Sequence, residues 1–242
     1  MKASHFPEEV IDLNFYRDWI ARRKKERDFD KKKRTVFITI SRDYGCQGWE
    51  LALALMDQLN KRSPAGWSLF SRKMIEQIVS DEQLDPEMVH EISEKKWSYK
   101  DWFVDSLVPA YLQSDSSHVF RKMRNFILNL ADKGHCVVLG AGAQVITHRL
   151  DPEKFFGVHI RVTAPEIWKI RRIEEVFKLN RGEAEKKLQD HQDTRDKFIA
   201  DFTGYDSADP ALYTMVFNNA RCNPDVMAEM ICHYLASQGA FQ

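Results

Sequence analysis

The sequence is poor in the features that mark membrane, secreted and zinc-bound proteins. Its 242 residues contain no run of 18 or more apolar residues, so no transmembrane helix is expected. The four cysteines lie far apart and form no CxxC pair, which argues against a zinc site and for reduced thiols. Residues 1–15 lack the apolar centre of a signal peptide. We therefore expect a cytoplasmic protein with no membrane partner.

An excess of charge of one sign is also missing. The 36 Lys and Arg residues balance 36 Asp and Glu residues, so no global field draws the chain to nucleic acid. One basic stretch, Arg22–Arg34, is interrupted by Glu26, Asp28 and Asp30. Two interpretations of this stretch stay open, a polyanion-binding segment and the solvated end of an N-terminal helix. Nucleic acid is not the expected partner, and the oligomeric state is left undetermined.

The pattern of apolar residues predicts an α/β protein. Five segments are mostly continuous apolar runs, as in strands buried on both faces of a parallel sheet. They are residues 35–41, 67–71, 135–142, 155–164 and 213–219. Helical patterns separate them, at residues 48–62, 72–81, 117–134, 165–180 and 225–239. Strands that alternate with helices predict a three-layer fold with a five-stranded parallel sheet.

Three regions stand outside this alternation. Residues 1–34 are predicted to be a charged N-terminal helix or extension, before a domain of residues 35–242. Residues about 81–117 and about 178–204 are longer than a simple crossover needs, so we predict an insert and a lid there. The aromatic cluster of Trp97 and Trp102 either clamps a base or forms the small core of the insert.

The turn after the first predicted strand has the composition of an anion site. It runs Ser-Arg-Asp-Tyr-Gly-Cys-Gln-Gly-Trp-Glu over residues 41–50 and leads into a helix, whose N-terminus favours anions. In the usual phosphate-binding loop, GxxxxGK[ST], Lys and Ser or Thr follow the last glycine. Here Trp49 and Glu50 follow Gly48. By itself the turn is compatible with a phosphate loop and with an ordinary strand-to-helix turn.

Five segments together resemble the cytidylate kinase-like family. They are FITISRDYGCQGWELALAL, LFSRKMIEQIV, GHCVVLGAGAQVI, VHIRVTAPEIWKIRRI and DTRDKFIADFTGYDSADPALYTMVFNNAR, in the family's order and spacing. The resemblance extends over roughly residues 35–235. It implies a P-loop kinase fold with a monophosphate-binding insert and a lid. It also implies ATP and Mg²⁺ as cofactors and CMP or a related nucleotide as the phosphate acceptor.

The resemblance assigns site residues by position. The phosphate-binding loop would comprise Arg42, Gly45, Cys46, Gln47, Gly48 and Trp49. The acceptor would contact Arg72, Gly140, Gly142 and Lys169. Arg172 and Arg195 would act in catalysis by neutralising the transferring phosphoryl group. The resemblance assigns no residue of this chain as a metal ligand.

Several family positions that contact phosphate are replaced. Gln47 stands at the middle loop glycine, and Trp49 at a basic residue. Ala141 stands where the family has the Arg of a Gly-Arg-Gly turn. Because a cation acting in the transition state is worth ~10³ or more in rate, these losses bear on activity. Two hypotheses follow: a nucleoside monophosphate kinase, and a catalytically degenerate kinase fold that senses nucleotide or binds a partner.

Overall fold

The fold is an α/β structure built on one parallel sheet. The structure is a computed structural model that describes residues 18–23, 34–63, 66–80 and 115–241. The strands are β1 (Thr35–Arg42), β2 (Ser68–Ser71), β3 (Cys136–Leu139), β4 (Phe155–Thr163) and β5 (Met215–Asn218). Their order in the sheet is β2-β3-β1-β4-β5, with every pair parallel. The predicted fold class and all five predicted strands are confirmed.

Helices connect the strands and cover both faces of the sheet. They are α1 (Gly48–Arg62), α2 (Arg72–Ser80), α3 (Asp115–Lys133), α4 (Ala143–Thr147), α5 (Glu166–Phe177), α6 (Arg181–Thr203) and α7 (Pro224–Ser237), and a 3₁₀ turn spans Pro210–Leu212. The sequence did not predict α4 or the 3₁₀ turn, because elements of one turn are too short to give a periodic apolar pattern.

Two apolar cores lie on opposite faces of the sheet, and β1 contributes to both. Phe37 packs on one face with Phe70 and Phe126, in the core shared with α2 and α3. Ile38 and Ile40 point to the other face, in the core shared with α1 and α7. Successive side chains of a strand point to opposite faces, so an apolar run such as that of β1 requires cover on both sides.

Residues 18–23, the described part of the N-terminal segment, form a helix that packs on the domain. The indole of Trp19 is buried and makes an edge contact with Phe70, with ring centroids 5.3 Å apart. Arg23 is also buried, and its Nε donates to the carbonyl oxygen of Lys133 at the end of α3, at 3.0 Å. The remaining residues of the segment up to residue 33 lie outside the described residues. The domain boundary predicted at residue 34 stays a prediction.

The predicted lid contains a well-bounded helix. At the start of α6, the Asn180 side chain accepts from the Glu183 amide at 3.0 Å, and the Glu183 side chain accepts from the Asn180 amide at 2.9 Å. Gly204, with φ +70°, ends the helix in a left-handed conformation. The predicted insert lies outside the described residues apart from 115–117, which begin α3. Within the described residues, no helix is long and apolar enough to cross a bilayer.

Candidate phosphate site

The candidate site lies at the carboxyl edge of the sheet. In parallel α/β sheets, ligands bind in the crevice outside the carboxyl ends of the strands, at the point where the strand order reverses. Here β1 is central, with β3 on one side and β4 on the other. The turn between β1 and α1 therefore faces the turns that follow β3, β4 and β5.

Asp43, the first residue after β1, joins this turn to β4 and α5. Its carboxylate is buried and accepts from Arg161 Nη2 at 2.9 Å, Thr163 Oγ1 at 2.8 Å and Lys169 Nζ at 3.2 Å. Sequence reasoning gave no role to Asp43 or Arg161. The available signal was an arginine inside an otherwise apolar strand, because a buried guanidinium requires an acidic partner.

Gly45 allows α5 to approach the turn closely. Its φ is +86°, and a Cβ added there would lie 3.2 Å from Lys169 Cβ and 3.3 Å from Ile173 Cδ1. A side chain at this position would meet both strain and crowding. Gly45 therefore brings Lys169, which the sequence assigned to the acceptor site, up against the phosphate-loop turn.

Several backbone amides of the turn already donate to protein acceptors, among them that of Asp43, which donates to the Val162 carbonyl oxygen at 3.0 Å. The Tyr44 amide donates to Gln192 Oε1 at 2.8 Å, and the Gln47 amide donates to Asn219 Oδ1 at 2.7 Å. The Cys46 amide donates to the carbonyl oxygen of Asp43 at 3.2 Å. The first intrahelical bond of α1 runs from the Leu51 amide to the Gln47 carbonyl. Residues 48–50 thus form the first turn of α1. Their backbone N–H groups have no partner within the helix and point out of its N-terminus, where an anion can bind.

Trp49 faces the core. Its indole is half-buried and packs against the apolar residues of the sheet face that α1 and α7 cover. The indole Nε1 is buried and has no hydrogen-bond acceptor in the described part of the chain. Trp49 therefore supports the start of α1 and supplies no cation to the turn.

Lys169, Arg172 and Arg195 converge on the turn. All three act electrostatically on the thiol of Cys46, and their positive charges oppose the rise in its pKa. Burial, aided by the Asp43 carboxylate, still raises the pKa of Cys46 to about 12. The structure thus brings both predicted catalytic arginines to the predicted phosphate loop.

The two arginines are held by different contacts. Arg172 Nη2 pairs with Glu50 Oε1, in the first turn of α1. Arg195 Nη1 donates to the carbonyl oxygen of Arg42 at 3.3 Å, and its guanidinium lies 5.3 Å from the ring centre of Tyr44. Burial lowers the pKa of Arg195 from its usual value.

Helix α6 is docked over the turn. The Tyr44 ring stacks on His191, with centroids 4.4 Å apart and ring planes 16° apart. Gln192, which accepts from the Tyr44 amide, also donates to Asp196 Oδ2 at 3.0 Å. Asp196 Oδ1 in turn accepts from Ser207 Oγ at 2.6 Å. A chain of polar contacts therefore runs from the turn through α6 to the segment before β5.

The other predicted acceptor residues lie around β3. Gly140 and Gly142 have φ of +81° and +68°, and Ala141 between them has φ +60°. Ala141 is buried and brings no charge to this turn. Arg72 starts α2 directly after β2, where its Nε pairs with Glu76 Oε1 at 2.6 Å and its guanidinium lies 4.3 Å from the Phe198 ring centre. Arg72 thus contacts α6, and its charge lowers the pKa of Arg195.

One carboxylate has the position and the oxygen atom to bind a hard cation. Glu50 stands where the GxxxxGK[ST] pattern has its Mg²⁺-binding Ser or Thr. Its Oε2 is buried with no hydrogen-bond partner among the described residues. Those residues contain no group of three or more His, Cys, Asp or Glu side chains placed to hold a metal. Mg²⁺ in phosphotransferases needs only one or two carboxylates besides the substrate phosphates, so Glu50 fits that role.

Comparisons with known proteins found one matching family model and similar solved structures. The model of the cytidylate kinase-like family matches residues 37–221. An uncharacterized protein from Eubacterium ventriosum ATCC 27560 has a similar structure, with a TM-score of 0.62 at 16% identity, over 84% of this chain and 99% of that one. A tunicamycin resistance protein from Deinococcus radiodurans aligns over 84% of this chain and 96% of its own, at 14% identity and a TM-score of 0.39. No curated protein matches the sequence.

The family match extends over most of the chain and includes the turn, the β3 loop and the cations described above. The structural neighbour from Eubacterium ventriosum supports the fold alone, because its identity to this chain is low. Together with the five-stranded parallel sheet, these findings establish that the chain belongs to the cytidylate kinase-like family and has a P-loop kinase fold.

Proposed function

We propose that the protein is a cytoplasmic phosphotransferase that moves the γ-phosphoryl group of ATP to CMP or a related nucleoside monophosphate. The observation that supports this best is the convergence of Lys169, Arg172 and Arg195 on the turn before α1, where they contact Asp43, Glu50 and the Arg42 carbonyl oxygen, respectively. Phosphoryl transfer requires positioning and positive charge around the moving group, more than covalent chemistry from the protein. The family supports nucleotide use in general.

In this proposal the donor phosphates lie at the N-terminus of α1. The amides of residues 48–50 and the helix dipole face them there. Arg172 and Arg195 neutralise charge on the transferring group. Glu50 is the residue that would hold Mg²⁺, and the ion would supply positive charge to the donor phosphates.

Asp43 and Glu50 also position the cations of the site. Asp43 pairs with Lys169, and Glu50 pairs with Arg172. These pairs hold the ammonium and guanidinium groups next to the turn, so few side-chain rotations are needed when phosphate enters. A phosphate group that competes for Arg172 would release the Glu50 carboxylate, which is then available to a metal.

The test is an ADP-formation assay with Mg²⁺-ATP and CMP, UMP, AMP, GMP or dCMP as acceptor. Arg172→Ala is expected to lower turnover by ~10³, the scale of a transition-state cation. The matched control is Arg171→Ala, since Arg171 is exposed on the same helix and its loss should leave turnover unchanged. If the folded protein forms no ADP with any of these acceptors, the proposed activity is wrong.

A second candidate function is a nucleotide sensor or interaction module without turnover. It is favoured by the amides of Tyr44 and Gln47, which donate to Gln192 and Asn219 and so are not offered to phosphate. Thermal unfolding with and without ATP separates these functions. ATP at 100 times its dissociation constant should add about 2.7 kcal/mol of stability. Stabilisation without ADP formation favours a sensor, and no stabilisation by any nucleotide favours an interaction module.

A further inference from the structure

Arg42, the last residue of β1, extends its side chain across two glycines that belong to different turns. A Cβ added at Gly48 would lie 2.8 Å from Arg42 Cγ. A Cβ added at Gly140 would overlap Arg42 Nη1, at 2.2 Å. The stem of Arg42 therefore covers the start of α1, and its guanidinium lies against the turn after β3.

The backbone of Arg42 is fixed on both sides. Arg42 pairs with Val162 in the register of β1 and β4, and its carbonyl oxygen accepts from Arg195 Nη1. Gly140 is likewise tied to β1, since its amide donates to the Ile40 carbonyl at 2.9 Å. The sheet thus fixes the backbone of Arg42 relative to the start of the turn after β3.

The guanidinium lies on the side of β1 away from β4 and α5. Lys169 and Arg172, on α5, pair with Asp43 and Glu50 at the two ends of the turn before α1. Arg42 reaches instead toward β3, and Arg72 stands one strand further on, at the end of β2. Arg42 and Arg72 therefore flank the turn of Gly140–Gly142, which carries no charged side chain of its own.

We propose that the Arg42 guanidinium binds the phosphate of the acceptor nucleotide beside the turn of residues 140–142. This inference rests on the proposed phosphotransferase function, and it assigns Arg42 to the acceptor phosphate, whereas the resemblance placed Arg42 in the loop that binds the donor phosphates. A guanidinium suits the task because it can donate two parallel hydrogen bonds to a phosphate and keeps its charge when partly buried. The two glycines are required because a side chain at either would displace Arg42.

The test compares a nucleoside monophosphate with its own nucleoside. Calorimetry on the full chain measures the affinities of CMP, UMP, AMP and GMP, and of the nucleoside that corresponds to the tightest binder. The ratio of the two affinities reports the contribution of the phosphate. Arg42→Ala should lower this ratio by about 10- to 100-fold, the equivalent of one charge-assisted contact. ATP affinity, measured separately, should change little.

Two further variants and an unfolding measurement test whether the effect of Arg42→Ala comes from a loss of folding. Arg42→Lys keeps the stem on Gly48 and the charge, but loses the bidentate geometry, so its ratio should fall between those of wild type and Arg42→Ala. Arg171→Ala removes an exposed arginine and should leave the ratio unchanged. Urea unfolding of each variant confirms that it is folded before its affinities are compared.

Failure of the inference and failure of the proposed function give different results. If wild type binds a monophosphate and ATP, and Arg42→Ala keeps the same ratio, Arg42 does not bind the acceptor phosphate although the function stands. If Arg42→Ala weakens ATP and monophosphate equally, the guanidinium serves the donor phosphates and the inference is wrong. If wild type binds neither ligand, the proposed function fails and the inference fails with it.

Discussion

The side chain of Asn219 bonds both the backbone amide and the side chain of Gln47, and so holds the turn before α1 to the end of β5. Asn219 Oδ1 accepts from the Gln47 amide at 2.7 Å, and Asn219 Nδ2 donates to Gln47 Oε1 at 3.1 Å. Asn219 Nδ2 also reaches the Cys222 carbonyl oxygen at 3.3 Å, and the residue is buried. One side chain therefore satisfies a helix-start amide and fixes where α1 begins.

Asn219→Ala should destabilise the fold by about 1–3 kcal/mol, because it leaves the Gln47 amide without its buried acceptor. Urea unfolding measures the change. Asn218→Ala is the matched control, since Asn218 is exposed and its side chain accepts from the nearby Ala220 amide at 3.0 Å. Equal effects of the two substitutions would contradict the role given to Asn219.

Asp43→Asn should be more damaging, at about 3–5 kcal/mol, because it leaves two partly buried cations without their counter-charge. The side chains of Asp43, Arg161 and Lys169 are only 8%, 11% and 13% exposed. The free energy of unfolding in urea checks this. Asp57→Asn removes an exposed partner of Lys61 on α1 and should change stability by less than about 1 kcal/mol. A comparable loss in both variants would argue against a buried ionic centre at Asp43.

The four thiols should differ in reactivity toward a disulfide reagent at pH 8. Burial raises the pKa of Cys46 to about 12 and also raises the pKa of Cys136 and Cys232, so these side chains form little thiolate. Cys222 is the only half-buried cysteine of the four and should react first. Spectrophotometric titration of the native protein should give one fast thiol, and Cys222→Ser should remove it. Fast modification of Cys46 would mean that the turn opens readily.

Stability should fall as the pH drops from about 6.5 toward 4, in part through His159. Burial, together with the charge of His148, lowers the pKa of His159 to about 4. The unfolded chain, with its histidine at about 6.5, then binds more protons than the folded one in this window, so acid favours unfolding. The contribution of His159 reaches about 3 kcal/mol at most, from the difference of the two pKa values.

His159→Gln should therefore reduce the slope of unfolding free energy against pH between 4 and 6.5. Above pH 7, His159 should contribute nothing to the pH dependence, so the curves of unfolding free energy against pH should run parallel for the two proteins. Urea unfolding at a series of pH values measures both slopes. Identical slopes for wild type and variant would show that His159 is not held neutral by the fold. The side-chain contact of His159 Nδ1 with Thr39 Oγ1, at 2.9 Å, is lost in the variant, so absolute stability is not the criterion.

Local patterns in the sequence were sufficient to predict the main elements of the fold. The apolar run from residue 35 predicted a strand buried on both faces, and β1 (Thr35–Arg42) is such a strand. Gly45 and Gly48 predicted a tight turn and the start of a helix, and α1 begins at Gly48. These features depend on the period of apolar residues and on backbone preferences within a few residues, so they can be recognised without knowledge of the partners.

The contacts at the site were not predictable in the same way. Asp43 and Arg161 are 118 residues apart, and Gln47 and Asn219 are 172 apart. The resemblance assigned Lys169 to the acceptor site and Arg172 and Arg195 to catalysis, but it did not identify the groups that hold them. These roles stay predictions, as does the lid function of α6.

The sequence by itself determined the five strands, the longer helices between them, the glycine turns and the lack of charge at Trp49 and Ala141. Only the tertiary structure decided which amides of the turn donate to Gln192 and Asn219, and that Arg42 spans from Gly48 to Gly140. The physical reason is the distance along the chain over which each interaction acts. Backbone preference and apolar period act between near neighbours in the chain, whereas hydrogen bonds and ion pairs depend on distances that exist only after the sheet has assembled.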